Sequence, residues 1–180
     1  MTAPSKLKNV IAIIVMGVSG CGKTTVAELI ARNLSLAFRD GDSFHPPANI
    51  AKMKAGTALT DEDRGPWLAA IAGWIADNRE RGETVVLACS ALKRAYRDRL
   101  RDGHADVRFI YLTGSKAQIA ARLAMRKGHY MPPSLLDSQL ATLEPPGEDE
   151  KPVTLSVAAM PDAIAAEAIA ALRETAPAQS

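Results

Sequence analysis

Long hydrophobic runs, a cysteine framework and an excess of one charge are all missing from this 180-residue sequence. Its first apolar stretch, Val10 to Met16, is far short of the roughly 20 residues a membrane helix needs and leads straight into a glycine-rich loop, so neither a span nor a signal peptide is expected. Two cysteines, Cys21 and Cys89, offer no metal-ligand spacing and no disulfide scaffold, which suits a reducing cytoplasm. Lys plus Arg number 22 against 20 Asp plus Glu, and the basic residues are dispersed, which argues against a general nucleic-acid footprint. The sequence pI of 8.6 needs no more than a local cluster of positive charge. No internal repeat occurs, and the nearest approach to low complexity is the Pro/acid stretch Glu144–Pro152, read as a loop. A guanine-reading N-K-x-D is also absent, which counts against a GTP-dependent switch. What remains is an ordinary globular composition, 47 % hydrophobic and 23 % charged, with length for one sizeable core.

Within it stands a phosphate-binding pattern. Gly17 to Thr24 reads GVSGCGKT and fits G-x-x-x-x-G-K-[ST], between the apolar run before it and the helically spaced residues Thr25 to Leu34 after it. Glycines let backbone N–H groups turn inward on an anion, and the helix start aims its positive dipole end at the same point. Lys23 would reach the β- and γ-phosphates of a nucleoside triphosphate, and the Thr24 hydroxyl would sit on Mg²⁺. Gly17, Ser19, Gly20, Cys21, Gly22, Lys23, Thr24 and Thr25 are therefore the expected nucleotide cradle, with Cys21 at an unconstrained position.

Along the chain, Val10–Met16 predicts a strand covered on both faces and Gly22–Leu34 a helix. A short strand to about Phe38 delivers Asp40 and Asp42 to the edge where open α/β sheets bind ligands, on one side if the segment stays extended. Pro46 and Pro47 open a short helix. The acidic run from Thr60 starts a longer one, with Trp67, Leu68, Ile71, Trp74 and Ile75 inward as core and Gly82 as its stop. Thr84–Ala88 is a buried strand that presents Ser90, followed by a basic helix from near Ala91. Val107–Leu112 is a fourth strand, and Ser115 caps a helix to about Lys127, with Arg122 and Arg126 one above the other. Gly128–Pro133 breaks it, Ser134–Leu143 resumes it, Val153–Val157 is a fifth strand and Pro161–Glu174 a closing helix. The alternation predicts an α/β fold, a doubly wound parallel five-stranded sheet flanked by helices. It is read as one domain over residues 10–174, with tails at 1–9 and 175–180 and a small mobile lid at about 122–143 hinged near Gly128.

A small-molecule kinase needs a carboxylate to orient the acceptor hydroxyl and cations to neutralise the travelling charge. Asp40 and Asp42 could supply the carboxylates for a water-mediated Mg²⁺ contact and for the acceptor, or could be the solvated carboxylates of a tight turn. Arg122 and Arg126 could close over the phosphates and exclude water, or form a solvated helix face. At these residues the sequence resembles a known family. Asp40–Met53, with D-G-D-x-x-H-P, and Gly56–Leu68, with D-x-D-R-x-P-W-L, look like the gluconokinase family of P-loop carbohydrate kinases. Ala88–Arg101, Arg126–Met131 and Leu135–Pro145 extend the resemblance from roughly Ile13 to Val157. It implies a fold similar to nucleoside monophosphate and shikimate kinases. The implied activity is ATP-dependent phosphorylation of D-gluconate at the 6-hydroxyl to 6-phospho-D-gluconate, feeding sugar-acid or pentose phosphate metabolism, in a cytoplasmic homodimer. It also implies catalytic roles for Lys23, Asp42 and Arg126, an Mg²⁺ role for Asp40 beside Thr24, and gluconate contacts from among His45, Lys52, Arg64, Ser90, Lys93 and Arg97. A polyol acid needs hydroxyl partners and a cation for its carboxylate, and arginine can grip one bidentately. The prolines of His129-Tyr130-Met131-Pro132-Pro133 depart from the family's flap.

Overall fold

The computed structural model describes residues 7–126 and 133–175. Its centre is β1 (Ala12–Met16), whose five residues are all fully buried. Successive strand side chains point to opposite faces, so one apolar run seeds two cores. Ile13 and Val15 pack with Val26, Ile30 and Ala168, while Ile14 and Met16 pack with Trp67, Ile71 and Phe109. Trp67 is core, as expected, with 1 % of its surface exposed. Truncating a side chain such as Ile14 or Ile71 to alanine would cost about 2–5 kcal/mol.

The order along the chain is β1, α1 (Lys23–Leu34), β2 (Ala37–Asp40), a 3₁₀ turn (Gly41–Phe44), α2 (Pro47–Lys54), α3 (Asp61–Arg81), β3 (Val85–Ala88), α4 (Arg94–Arg101) and β4 (Val107–Thr113). Then follow α5 (Lys116–Met125), α6 (Pro133–Thr142), a second 3₁₀ turn (Glu148–Glu150), β5 (Val153–Ser156) and α7 (Pro161–Glu174). The strands form one parallel sheet in the order β2-β3-β1-β4-β5, with helices on both faces, as the alternation predicted. Helices α1 and α7 cover one face and α3 and α4 the other. No described helix is long and apolar enough to cross a membrane.

Register explains why the site residues converge. Val15 pairs with Ala88, and Ala88 with Asp40, so all three lie on one row of the sheet. Gly17, Ser90 and Asp42 each follow two residues later and leave the sheet at the same edge; the Gly17 N–H donates to the Ser90 carbonyl at 3.3 Å.

Four local expectations are corrected. Strand β2 runs on to Asp40 instead of ending near Phe38, and the chain then coils into the 3₁₀ turn, so Asp40 and Asp42 do not share an extended segment. The driver is the Asp40 carboxylate, which accepts the Asp42 N–H at 2.9 Å and caps the turn. Helix α4 starts at Arg94 instead of Ala91, because Ala91 has φ +43° and cannot open a helix. Helix α5 ends at Met125, and Arg126 is already extended, so it is not stacked on Arg122. Strand β5 stops at Ser156, one residue early. The hinge expected at Gly128 lies outside the described residues.

Candidate active site

The cleft opens beyond the C-terminal ends of β1, β2 and β3 and holds about 240 Å³. One wall is the phosphate loop. Gly20 has φ +83°, and a β-carbon there would stand 2.5 Å from the Leu123 side chain, so the loop's bend and its approach to α5 both require glycine. Lys23 Nζ donates to the Val18 carbonyl at 3.0 Å, which folds its ammonium over the loop. Thr24 Oγ1 donates to Asp40 Oδ2 at 3.0 Å. That pair ties the start of α1 to the end of β2.

The opposite wall is the turn after β2, the end of α2 with the loop that follows it, and the start of α3. Gly41 is required by close approach: a β-carbon there would lie 2.5 Å from the Ala88 carbonyl. Trp67 Nε1 donates to the Gly41 carbonyl at 2.8 Å, holding α3 against the turn. Asp42 follows with its side chain 83 % exposed at the mouth of the cleft. The His45 ring stacks on Trp67 at 4.4 Å between centroids. Burial, helped by the charge of Arg64, lowers its pKa to about 4, so it is neutral at neutral pH. Arg64 lines the cleft while donating to the Leu59 carbonyl at 2.7 Å.

The residues singled out in the sequence separate into two groups. Ser19, Gly20, Gly22, Lys23, Thr24, Asp40, Asp42, His45, Arg64, Ser90 and Arg126 all line this one cleft. Gly17 and Cys21 are buried beneath the loop, and Thr25 is exposed on the first turn of α1. Arg122 crosses the loop, with Nη1 3.2 Å from where a β-carbon of Gly22 would stand, and donates to the Val157 carbonyl.

Three of the cations expected to hold gluconate do not line the cleft. Arg97 is fully buried: Nε and Nη2 donate to Glu150 at 2.7 and 2.9 Å, and Nη1 to the Ala91 and Leu92 carbonyls. It holds the loop that carries Ser90 and has no donor facing a substrate, which corrects its expected gluconate contact. Lys52 Nζ bonds both Asp63 oxygens at 2.8 and 2.9 Å, and that pairing leads the causes that lower Asp63 to about 2. Lys93 bonds both Asp61 oxygens at 3.0 Å, and the same carboxylate accepts from the Tyr96 hydroxyl, the leading cause of its lowered pKa.

Two residues escaped the sequence reading. Gln139 of α6 accepts the Ser19 N–H at 2.6 Å, so the second half of the expected lid touches the phosphate loop directly. Asn49 of α2 is buried against His45. The spacing of Leu135, Ser138, Gln139 and Thr142 along one face of α6 was the available signal for the first. Cys89 lines the cleft as an inert thiol, pushed up to about 12 by burial.

Among the described residues no cluster of three or more His, Cys, Asp or Glu could cage a metal. The Thr24–Asp40 pair at the loop instead fits an ion completed by phosphate oxygens and water, the usual manner of Mg²⁺.

A phosphate loop on a parallel sheet, facing a carboxylate-bearing acceptor wall across one cleft, defines a P-loop kinase. The family model described as "AAA domain" matches residues 13–146. The gluconokinase of Gluconobacter oxydans is 49 % identical over 157 residues, 87 % of this chain and 88 % of the relative. The crystal structure of a gluconokinase from Sinorhizobium meliloti superposes with a TM-score of 0.84 at 47 % identity, covering 92 % of this chain and 93 % of that one. Shikimate kinase from Aquifex aeolicus shares the fold alone, with a TM-score of 0.57 at 17 % identity over 92 % of this chain and 98 % of that one. The chain belongs to the AAA-domain P-loop proteins and, within them, to the gluconokinase family.

Proposed function

We propose that this protein transfers the γ-phosphoryl group of ATP to the 6-hydroxyl of D-gluconate, giving ADP and 6-phospho-D-gluconate. The observation that carries this reading is Asp42, an exposed carboxylate lining the same cleft as Lys23 and Thr24, in a chain 49 % identical to a gluconokinase. Asp42 orients the acceptor hydroxyl and takes its proton as the new O–P bond forms and the β–γ bridge breaks. Lys23 exchanges the Val18 carbonyl for phosphate oxygens and stabilises their charge. Arg126, at the cleft edge where α5 ends, adds positive charge as the group transfers. Thr24, with Asp40 through water, would hold Mg²⁺, which supplies charge neutralisation across the phosphates.

Arg64 is the lining cation best suited to the gluconate carboxylate, since Lys52, Lys93 and Arg97 are engaged elsewhere. His45 and Ser90 provide polar groups for the polyol. We assign residues 10–174 to one kinase domain with a lid at about 122–143, acting as a homodimer in the cytoplasm. The two buried free thiols agree with a reducing compartment. The test is an acceptor panel under Mg-ATP, with ³¹P NMR of the product. A phosphomonoester on C6 of gluconate is expected, and faster turnover of shikimate or a nucleoside monophosphate would overturn the assignment.

A further inference from the structure

Asn49 joins two acceptors that face it from different elements. Its Nδ2 donates to the Asp63 carbonyl at 2.8 Å and lies 3.2 Å from His45 Nδ1. A backbone carbonyl only accepts, so the atom facing it must be the amide nitrogen, and its second hydrogen is left for the imidazole. His45 Nδ1 must then present a lone pair. A neutral imidazole with an accepting Nδ1 carries its proton on Nε2. Nε2 is the nitrogen turned toward Asp42, 4.0 Å from Oδ1. That separation is too long for a direct hydrogen bond, but it aims the positive end of the N–H dipole at the carboxylate. The opposite tautomer would aim a lone pair at it.

We propose that Asn49 is a positioning residue for phosphoryl transfer: it locks His45 as the Nε2–H tautomer, whose dipole holds the ionised Asp42 carboxylate in place to receive the acceptor hydroxyl. The surroundings preserve that state. The His45 side chain is 4 % exposed and Asn49 3 % exposed, so water does not compete for Nδ1. Stacking on Trp67 at an interplanar angle of 10° fixes the ring plane, and the His45 N–H closes the turn on the Asp42 carbonyl at 3.2 Å. Burial and Arg64 keep the ring uncharged. Those contacts set where the ring lies; the Asn49 amide at Nδ1, in concert with the Asp42 carboxylate facing Nε2, sets which nitrogen bears the proton.

The inference rests on the reading of Asp42 as the acceptor-orienting group, and its first test, the tautomer itself, does not depend on gluconate. Long-range ¹H–¹⁵N NMR of the full chain labelled in histidine, assigned with His45→Gln, reads the tautomer at pH 7. The Nε2–H form is expected; an Nδ1–H form or an imidazolium would overturn the proposal. Asn49→Asp reverses the polarity of the contact, moving the proton to Nδ1 and lowering kcat on the order of tenfold or more with little change in KM for ATP. A switched tautomer with wild-type kcat would also overturn it. Failure of the gluconate reading would look different: no gluconate-dependent ADP release from the wild type, with the tautomer unchanged.

Discussion

The two walls of the cleft are built on different principles. The phosphate wall is local: Gly17 to Thr24 are consecutive, their backbone makes the cradle, and Lys23 finds its partner five residues away at Val18. The acceptor wall is assembled. Gly41 is held by Trp67 across 26 residues, and His45 is flanked by Asn49 of α2 and Trp67 of α3. A local cradle can be carried by a short motif, whereas the assembled wall depends on side chains that fix one another. Specificity for the acceptor is therefore expected from the second wall.

Removing charge from the local wall should have the largest effect. Lys23→Ala is expected to lower kcat/KM on the order of a thousandfold while the fold survives, because it deletes charge stabilisation at the transferring group. A near-wild-type value in steady-state kinetics would take the phosphate loop out of the mechanism. The next largest effect lies beneath both walls. Arg97→Met strands the buried Glu150 carboxylate and frees the carbonyls before α4, and should cost about 3–5 kcal/mol in urea unfolding. Lys93→Met, which breaks an exposed pair, should shift the same curve far less. Equal losses would erase the distinction between the two cations.

Gln139→Ala sharpens the comparison where α6 meets the loop. A phosphate oxygen seated on the Ser19 N–H must displace the amide now bonded there, so the variant should bind a non-hydrolysable ATP analogue severalfold more tightly, on the scale of one hydrogen bond. Weaker binding in calorimetry would mean that Gln139 helps to hold the nucleotide. The smallest effect is in pH. The unfolded chain protonates His45 near 6.5, but the folded chain resists until about 4. Between those values the unfolded state binds the extra proton, so stability falls as pH drops and levels off below about 4 from this group. Asp63, lowered from 3.8 to about 2, adds a second loss below the first window. The urea midpoint should fall between pH 7 and pH 5, and His45→Gln should flatten that slope; an unchanged slope would contradict the buried neutral imidazole.

What could be read in advance follows the same division. Strand β1 and the phosphate loop are contiguous patterns, so periodicity and glycine placement disclosed them. Asp40 and Asp42 were visible at a strand end, but the turn between them depends on a carboxylate reaching its own backbone, which extended geometry does not anticipate. Arg97 looked like another cation of a basic helix because its partner, Glu150, stands 53 residues away. Arg126 fell off the expected face because α5 ends one residue before it. Gln139 meets Ser19 across 120 residues, a contact that only the folded sheet brings about.

If the assembled wall presents a phosphoryl acceptor to the local one, Asp42 is the residue on which that presentation turns. ADP release from Mg-ATP should be measured with and without D-gluconate, for the wild type and Asp42→Asn together. The wild type should show strong gluconate-dependent release and the variant about a hundredfold lower kcat, with KM for ATP little changed. Gluconate-independent release, or full turnover by Asp42→Asn, would contradict it.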